Sequence, residues 1–275
     1  RRLVRGDGAG LPGIRRAARE RFEALGFPST QLEDWQHTDV TRISRTEFQP
    51  GTEAAAHLVT RAELAPFIFP QAGAVIVFVN GRQAPELSWI RATHGALDLQ
   101  TIPAALQDFD PTLAEENLAR HARYEDNAFV ALNTAFLEDG VFVHFQRGKT
   151  MRAPVQLLFV STALLPAVGA RAADASDAPI EAHPRVLIVA EEGSQGLVVE
   201  TYLTLGARTY FTNAVTEVVL GPGTVIEHVT VQIESPEAFH VGTVQATVGR
   251  GASFRSHSLA LGAALARREV NVEFR

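Results

Sequence analysis

At 275 residues, with 46% hydrophobic residues and a net charge of −6, the chain can bury a substantial core as one or two domains, and it offers no basic run suited to nucleic acid. It contains no cysteine, which removes disulfides, thiolate metal ligands and a thiol nucleophile from these residues. No apolar run approaches the roughly 18 residues that span a bilayer, and Arg1–Gly10 lacks the apolar core of a leader, so a cytoplasmic protein with no membrane partner is expected.

Gly13 to Leu25 reads as the first helix, because Ile14, Ala17, Ala18, Phe22 and Leu25 recur at helical spacing and Gly26 with Pro28 ends the run. The loop Gly26 to Asp39 gathers Glu33, Asp34, Trp35 and His37. It is read either as a small acid/base cluster or, preferably, as a Trp35 anchor with polar caps around it. Val75 to Val79 is a strand ending in the tight-turn pair Asn80-Gly81, with Arg82 to Leu87 as the returning arm of a hairpin. Leu113–Tyr124 and Asn127–Leu137 follow as helices. A boundary is expected near Glu138, dividing a mixed, mainly helical region (1–138) from a β region (139–275).

From Val141 to Phe274 one pattern returns four times: alternating apolar residues followed by glycine. Val143 and Phe145 precede Gly148, Ile188 and Ala190 precede Gly193, Val218 and Leu220 precede Gly223, and Ala246 and Val248 precede Gly251. The last three glycines are 30 and 28 residues apart, and an Ala/Pro/Asp-rich insertion, Leu164 to His183, lengthens the first interval to 45. Strand geometry sends alternate side chains to opposite faces, so residues at one offset from each glycine would stack in a right-handed parallel β-helix with glycine at the corners. A β-sandwich is the open alternative, since frequent turn signals suit it too, whereas the six-residue repeat of a left-handed coil is missing.

Register decides what the histidines can do. His228 stands five residues after its glycine and His257 six, which sends them to opposite faces, and His144 stacks with Val189 and Val219. His240 follows Pro236 near a corner. All four are read as structural, while His57, His94 and His121 are isolated and no metal-ligand spacing exists. Gly221-Pro-Gly223 and Gly249-Arg-Gly251 lack the third glycine of a dinucleotide fold, Gly193-Ser-Gln-Gly196 lacks nucleophile-elbow spacing, and the pairs Glu115-Glu116 and Glu191-Glu192 diverge within their elements.

The segments 26–38 (GFPSTQLEDWQHT), 78–88 (FVNGRQAPELS), 124–143 (YEDNAFVALNTAFLEDGVFV), 215–228 (VTEVVLGPGTVIEH) and 239–261 (FHVGTVQATVGRGASFRSHSLAL) resemble, in the same order, the SufD branch of the SufB/SufD family of iron–sulfur cluster assembly proteins. The resemblance implies a parallel β-helix between helical regions and a non-catalytic scaffold subunit that pairs with SufB and docks the ATPase SufC. It also implies that the family's C-terminal cluster-assembly residues lie beyond Arg275, in keeping with ends at Arg1 and Arg275 that look like cuts. Catalytic, cofactor-binding and metal residues are therefore expected to be none in this chain, with an iron–sulfur cluster belonging to the complete assembly and a homodimer as a further option. The competing reading is a β-helix carbohydrate-active enzyme, a polysaccharide lyase or hydrolase, for which Glu227 stacked on Arg255 is the only obvious charged pair. An exposed final coil, Val270 to Phe274, would leave an unpaired strand edge.

Overall fold

The computed structural model describes residues 10–51, 59–91, 93–108, 110–162, 179–206 and 208–275. His57 and most of the insertion at 164–183 lie outside them. In chain order the helices are α1 (Leu11–Leu25), α2 (Thr41–Arg45), α3 (Arg61–Leu64), α4 (Ile102–Leu106), α5 (Thr112–Asn117) and α6 (Ala128–Ala135). The strands of the first half are β1 (Gln49–Pro50), β2 (Ala74–Val79), β3 (Arg82–Gln83), β4 (Trp89–Ile90) and β5 (Leu97–Thr101). Those of the second are β6 (Val141–Phe145), β7 (Val155–Thr162), β8 (Ile180–Ala182), β9 (Arg185–Ala190), β10 (Gln195–Leu205), β11 (Tyr210–Leu220), β12 (Val225–Ile233), β13 (Phe239–Val248), β14 (Ser253–Ala260) and β15 (Leu265–Phe274).

The chain is mainly β, in two mixed sheets. One is ordered β1-β8-β11-β9-β6-β5, with β13 on β11 and β15 on β13; the other is β14-β12-β10-β7-β2-β3, with β4 also on β2. From β9 onward successive strands alternate between the sheets, and each from β11 on pairs in parallel with the strand two before it. Antiparallel pairs occur where β3 and β4 meet β2 and where β5 meets β6. The Asn80-Gly81 hairpin is therefore present with a shorter returning arm, and β2 itself joins β7 in parallel.

Glycines at the corners explain how a strand leaves one sheet for the other. Gly148, Gly193, Gly223 and Gly251 all take φ between 65° and 70°, a conformation that costs a side-chain-bearing residue free energy. Their amides also link successive corners: Gly148 N–H donates to Glu192 O (2.9 Å), Gly193 N–H to Pro222 O (2.9 Å) and Gly223 N–H to Arg250 O (3.0 Å). Gly221 and Gly249 serve differently. A Cβ there would lie 2.8 Å from Glu192 N and 2.7 Å from Leu220 O, so these two permit close approach of one corner to the next.

Alternate residues of both sheets face one another to form the main core, among them Ile76, Phe78, Val143, Leu157, Phe159, Ile188, Val198 and Val218. Phe78, Phe159 and Tyr202 share one register row and stack at 5.3 and 4.9 Å. Strands β2, β7 and β9 are buried on both faces, which accounts for their continuous apolar runs. Residues 59–68 and 84–89 cover one outer face, while Trp35, Phe129, Phe211 and Phe239 knit the loop after α1 and helix α6 to the other.

The helices differ from sequence expectation at their ends. Pro12, in the first turn, lets α1 begin at Leu11. Asn127 caps α6, its Oδ1 accepting from the Phe129 and Val130 amides. The helix expected over Leu113–Tyr124 stops at Asn117, because the buried Glu217 carboxylate accepts the amides of Ala119, His121 and Ala122 at 2.9, 2.9 and 3.0 Å and holds that backbone out of helical geometry. Glu217 is in turn paired with fully buried Arg185 (2.6 Å), whose other nitrogen donates to Asn133 and Thr134 of α6.

Candidate functional site: the polar layer and the last coil

Toward strands β12 and β14, the inward row changes from apolar to polar. On β10, Glu200 falls between Val198 and Tyr202 on the inward row, and β12 presents His228, Thr230 and Gln232 in the same way. Glu200 Oε1 lies 2.8 Å from His228 Nε2 and accepts from Thr216 Oγ1 at 2.7 Å, while Oε2 accepts from the Tyr202 hydroxyl at 2.6 Å. A second constellation repeats the logic: Glu234 meets His240 Nδ1 at 2.8 Å, Gln232 Nε2 at 2.9 Å and Thr212 Oγ1 at 2.8 Å. Both carboxylates are buried.

Burial alone would raise the pKa of each carboxyl. For Glu200 that effect is outweighed by the His228 imidazole, the Tyr202 hydroxyl and the positive charge of Arg268, which bring it down to about 2. Glu234 is also held low against burial, through His240, Gln232 and Thr212. Burial and the neighbouring Glu200 carboxylate push the Tyr202 phenol well up, so it remains a hydrogen-bond donor. Four polar atoms of this layer, His228 Nδ1, Thr230 Oγ1 and Arg268 Nε and Nη2, have no hydrogen-bond partner among the described residues.

Beyond this layer lie the edge strands β14 and β15. Strands β14 and β15 are each paired on one side among the described residues, and Leu259, Leu261, Val270, Val272 and Phe274 are exposed. Val270, Val272 and Phe274 continue the register rows of buried Val244, Ala246 and Val248 but are themselves exposed, Phe274 at 79%.

The sequence-derived histidine registers are those found. His228 pairs with Ser256 and is buried, whereas His257 pairs with Val229, points outward and lies 3.4 Å from Glu227. His144 pairs with Val189, which pairs with Val219, and it lies 3.3 and 3.4 Å from Asp98 and Glu191. His240 is buried on Glu234, and His121 bridges Thr247 and Asn117. Glu33, Asp34 and His37 are exposed, while Trp35 is buried, stacked on Phe129 (5.2 Å) and covered by Arg267 at 3.9 Å. Glu192 pairs with Arg147. Sequence reading missed the Glu200 and Glu234 constellations; inward alternation beside Val198 and Tyr202 was the signal for the first of them.

Among the described residues no group of three or more His, Asp or Glu side chains could hold a metal ion, and the sequence has no cysteine. Glu227 does sit in register with Arg255, but its carboxylate lies against His257, and no second carboxylate converges with it among the described residues. The carbohydrate-enzyme reading is therefore not favoured. No helix among the described residues is long and apolar enough to cross a membrane.

Comparison with known proteins places both halves of the chain in one family. The SufBD protein N-terminal region matches residues 3–157, and the SufBD core domain of SUF system FeS cluster assembly matches residues 172–275. The chain belongs to the SufB/SufD family of iron–sulfur cluster assembly proteins. It is 26% identical to an iron-sulfur cluster assembly SufBD family protein of Synechocystis over 95% of this chain and 56% of that protein. It is 19% identical to the iron-sulfur cluster assembly protein SufD of Escherichia coli over 90% of this chain and 52% of that protein. The chain thus spans about half the length of the curated relatives it matches.

Proposed function

We propose that this protein is a SufD-type, non-catalytic scaffold subunit of a cytoplasmic iron–sulfur cluster assembly complex, pairing with SufB and the ATPase SufC. The cluster is cargo of that complex; no residue of this chain is assigned to hold it. In this reading 139–275 form a right-handed parallel β-helix, and 1–138 form an N-terminal, mainly helical region that lends strands to both sheets. The alternation of strands between sheets and their parallel pairing with the strand two before support the first division.

The observation that carries the proposal is the family match over both halves of a chain in which, among the described residues, the buried carboxylates of Glu200, Glu217 and Glu234 are each engaged by side chains or amides of its own fold. Such a molecule supplies rigidity and surface. The last coil, with apolar core positions open, is where a further layer is proposed to stack, whether from a longer chain or from another subunit, a second copy included. The functional test is cluster formation, followed by visible absorbance, on co-purified SufB and SufC with and without the full-length protein. Cluster yield is expected to rise with it; an equal yield without it contradicts a scaffold role.

A further inference from the structure

His144 stands on the outer face of β6, between β5 and β9, and polar side chains from all three strands gather round it. Asp98 is its direct partner on β5, Gln146 follows two residues later on the same face, and Glu191 follows β9 two residues after Val189, the partner of His144 on that side. Phe142 stacks on the imidazole at 5.9 Å and holds its plane. The His144 side chain is 13% exposed and that of Asp98 50%, so solvent reaches the group from the Asp98 side.

The two ring nitrogens have different neighbours. Nε2 is buried and faces Glu191 Oε2 at 3.4 Å; that oxygen also accepts the Arg147 amide at 3.1 Å, which fixes the carboxylate. Nδ1 lies 3.3 Å from Asp98 Oδ2 and 3.4 Å from the Gln146 side-chain amide, which also bonds Asp98 Oδ2. With the Gln146 amide nitrogen donating to Nδ1, the imidazole proton belongs on Nε2, toward Glu191. The Nδ1 lone pair and the Asp98 carboxylate then stand side by side. Turning the Gln146 amide over brings its oxygen to the same place, because its two ends have nearly the same shape.

A separation of 3.3 Å between Nδ1 and Oδ2 suits two ligands of one ion. Bonds of about 2.0 to 2.2 Å at a tetrahedral angle put donor atoms about 3.3 to 3.5 Å apart. Glu191 lies across the ring from this point, so it cannot share the ion; it instead accepts the Nε2 proton, as the outer carboxylate of a carboxylate–histidine–metal arrangement does. Asp98 and His144 are thus the only acidic and imidazole ligands, and the third ligand is an amide. An imidazole beside a carboxylate selects zinc-type ions over magnesium or calcium. We propose that Asp98 Oδ2, His144 Nδ1 and the Gln146 amide oxygen bind a zinc-type divalent transition-metal ion, with water completing its coordination and Glu191 as the positioning residue. This site does not depend on the assembly role.

Zn²⁺ is the probe, titrated into the full chain carrying nitrogen-15 histidine, with the imidazole nitrogens read by NMR. His144 Nδ1 is expected to shift with half-saturation at about 50 µM, as suits an open site of few protein ligands. The same concentration of Mg²⁺ is expected to leave it in place, a comparison that needs no variant. Asp98→Asn keeps the shape of a half-exposed side chain and removes its charge, and it is expected to weaken zinc about tenfold or more. Glu191→Ala is expected to weaken zinc about tenfold and, in zinc-free protein, to raise the share of His144 protonated on Nδ1, which the same spectra show. No shift at His144 by about 1 mM zinc, zinc on Nε2 instead of Nδ1, an equal response to Mg²⁺, or unchanged affinity in Asp98→Asn or Glu191→Ala would each overturn the proposal.

Discussion

Glu200 remains ionised in the folded protein down to about pH 2, although it is fully buried. Its ordinary value is 4.5, so the folded state favours the carboxylate and this contribution to stability is present above pH 4.5 and lost as pH falls toward 2. The shift corresponds to about 3 kcal/mol at the upper end. Glu200→Gln is therefore expected to flatten the acid limb of stability between pH 5 and pH 2, read from urea unfolding at each pH; parallel acid limbs in variant and wild type would contradict the arrangement. The residue itself was legible as inward-facing from the alternation Val198, Glu200, Tyr202. Its partners were not, because Thr216 and His228 reach it from other strands, 16 and 28 residues on in sequence. The cover that Arg267 places on Trp35 is a similar case, a contact between chain ends that no local pattern encodes.

At the scale of elements, the corner glycines were legible because a positive φ and a close approach each leave a mark in sequence. The two kinds differ in what a methyl group would meet. Gly223 has φ 66° and nothing within 4 Å of where a Cβ would stand, so Gly223→Ala is expected to cost about 1 kcal/mol of backbone strain. At Gly221 the Cβ would press on Glu192 N at 2.8 Å, and Gly221→Ala is expected to cost about 2 kcal/mol or more. Chemical denaturation of the two variants orders them, and equal costs would count against corner-to-corner packing. Helix α5 shows where local pattern misleads: apolar spacing continues past Asn117, but Glu217 takes three amides from the following turn. Glu217→Gln leaves Arg185 buried without a countercharge, and it is expected to destabilise the fold by about 3 to 5 kcal/mol. Amide exchange at 119–122 should then rise above that of the β9–β11 core; unchanged protection there would disprove the clamp.

For the whole molecule, the exposed rows of β14 and β15 predict the behaviour of the 275-residue chain by itself. Open strand edges flanked by Val270, Val272 and Phe274 invite pairing. Solution scattering is expected to give a mass above the monomer, lowered toward it by Val272→Asp; a monodisperse monomer of the unaltered chain would contradict this reading of the edge. The parallel pairings of β9 with β11, β10 with β12, β11 with β13 and β12 with β14 were legible at this scale because their partners lie 28 or 30 residues apart, one glycine interval in sequence. The joining of β2 and β5 to the two sheets was not, since their partners lie across helices and turns with no shared period.

The central claim, that this member of the SufB/SufD family works as a scaffold for other subunits, is tested most directly by the mass of what it purifies with. Full-length protein co-expressed with SufB and SufC is expected to elute as one stable complex containing all three, measured by light scattering on a size-exclusion column. Separate elution of the three proteins would contradict the account.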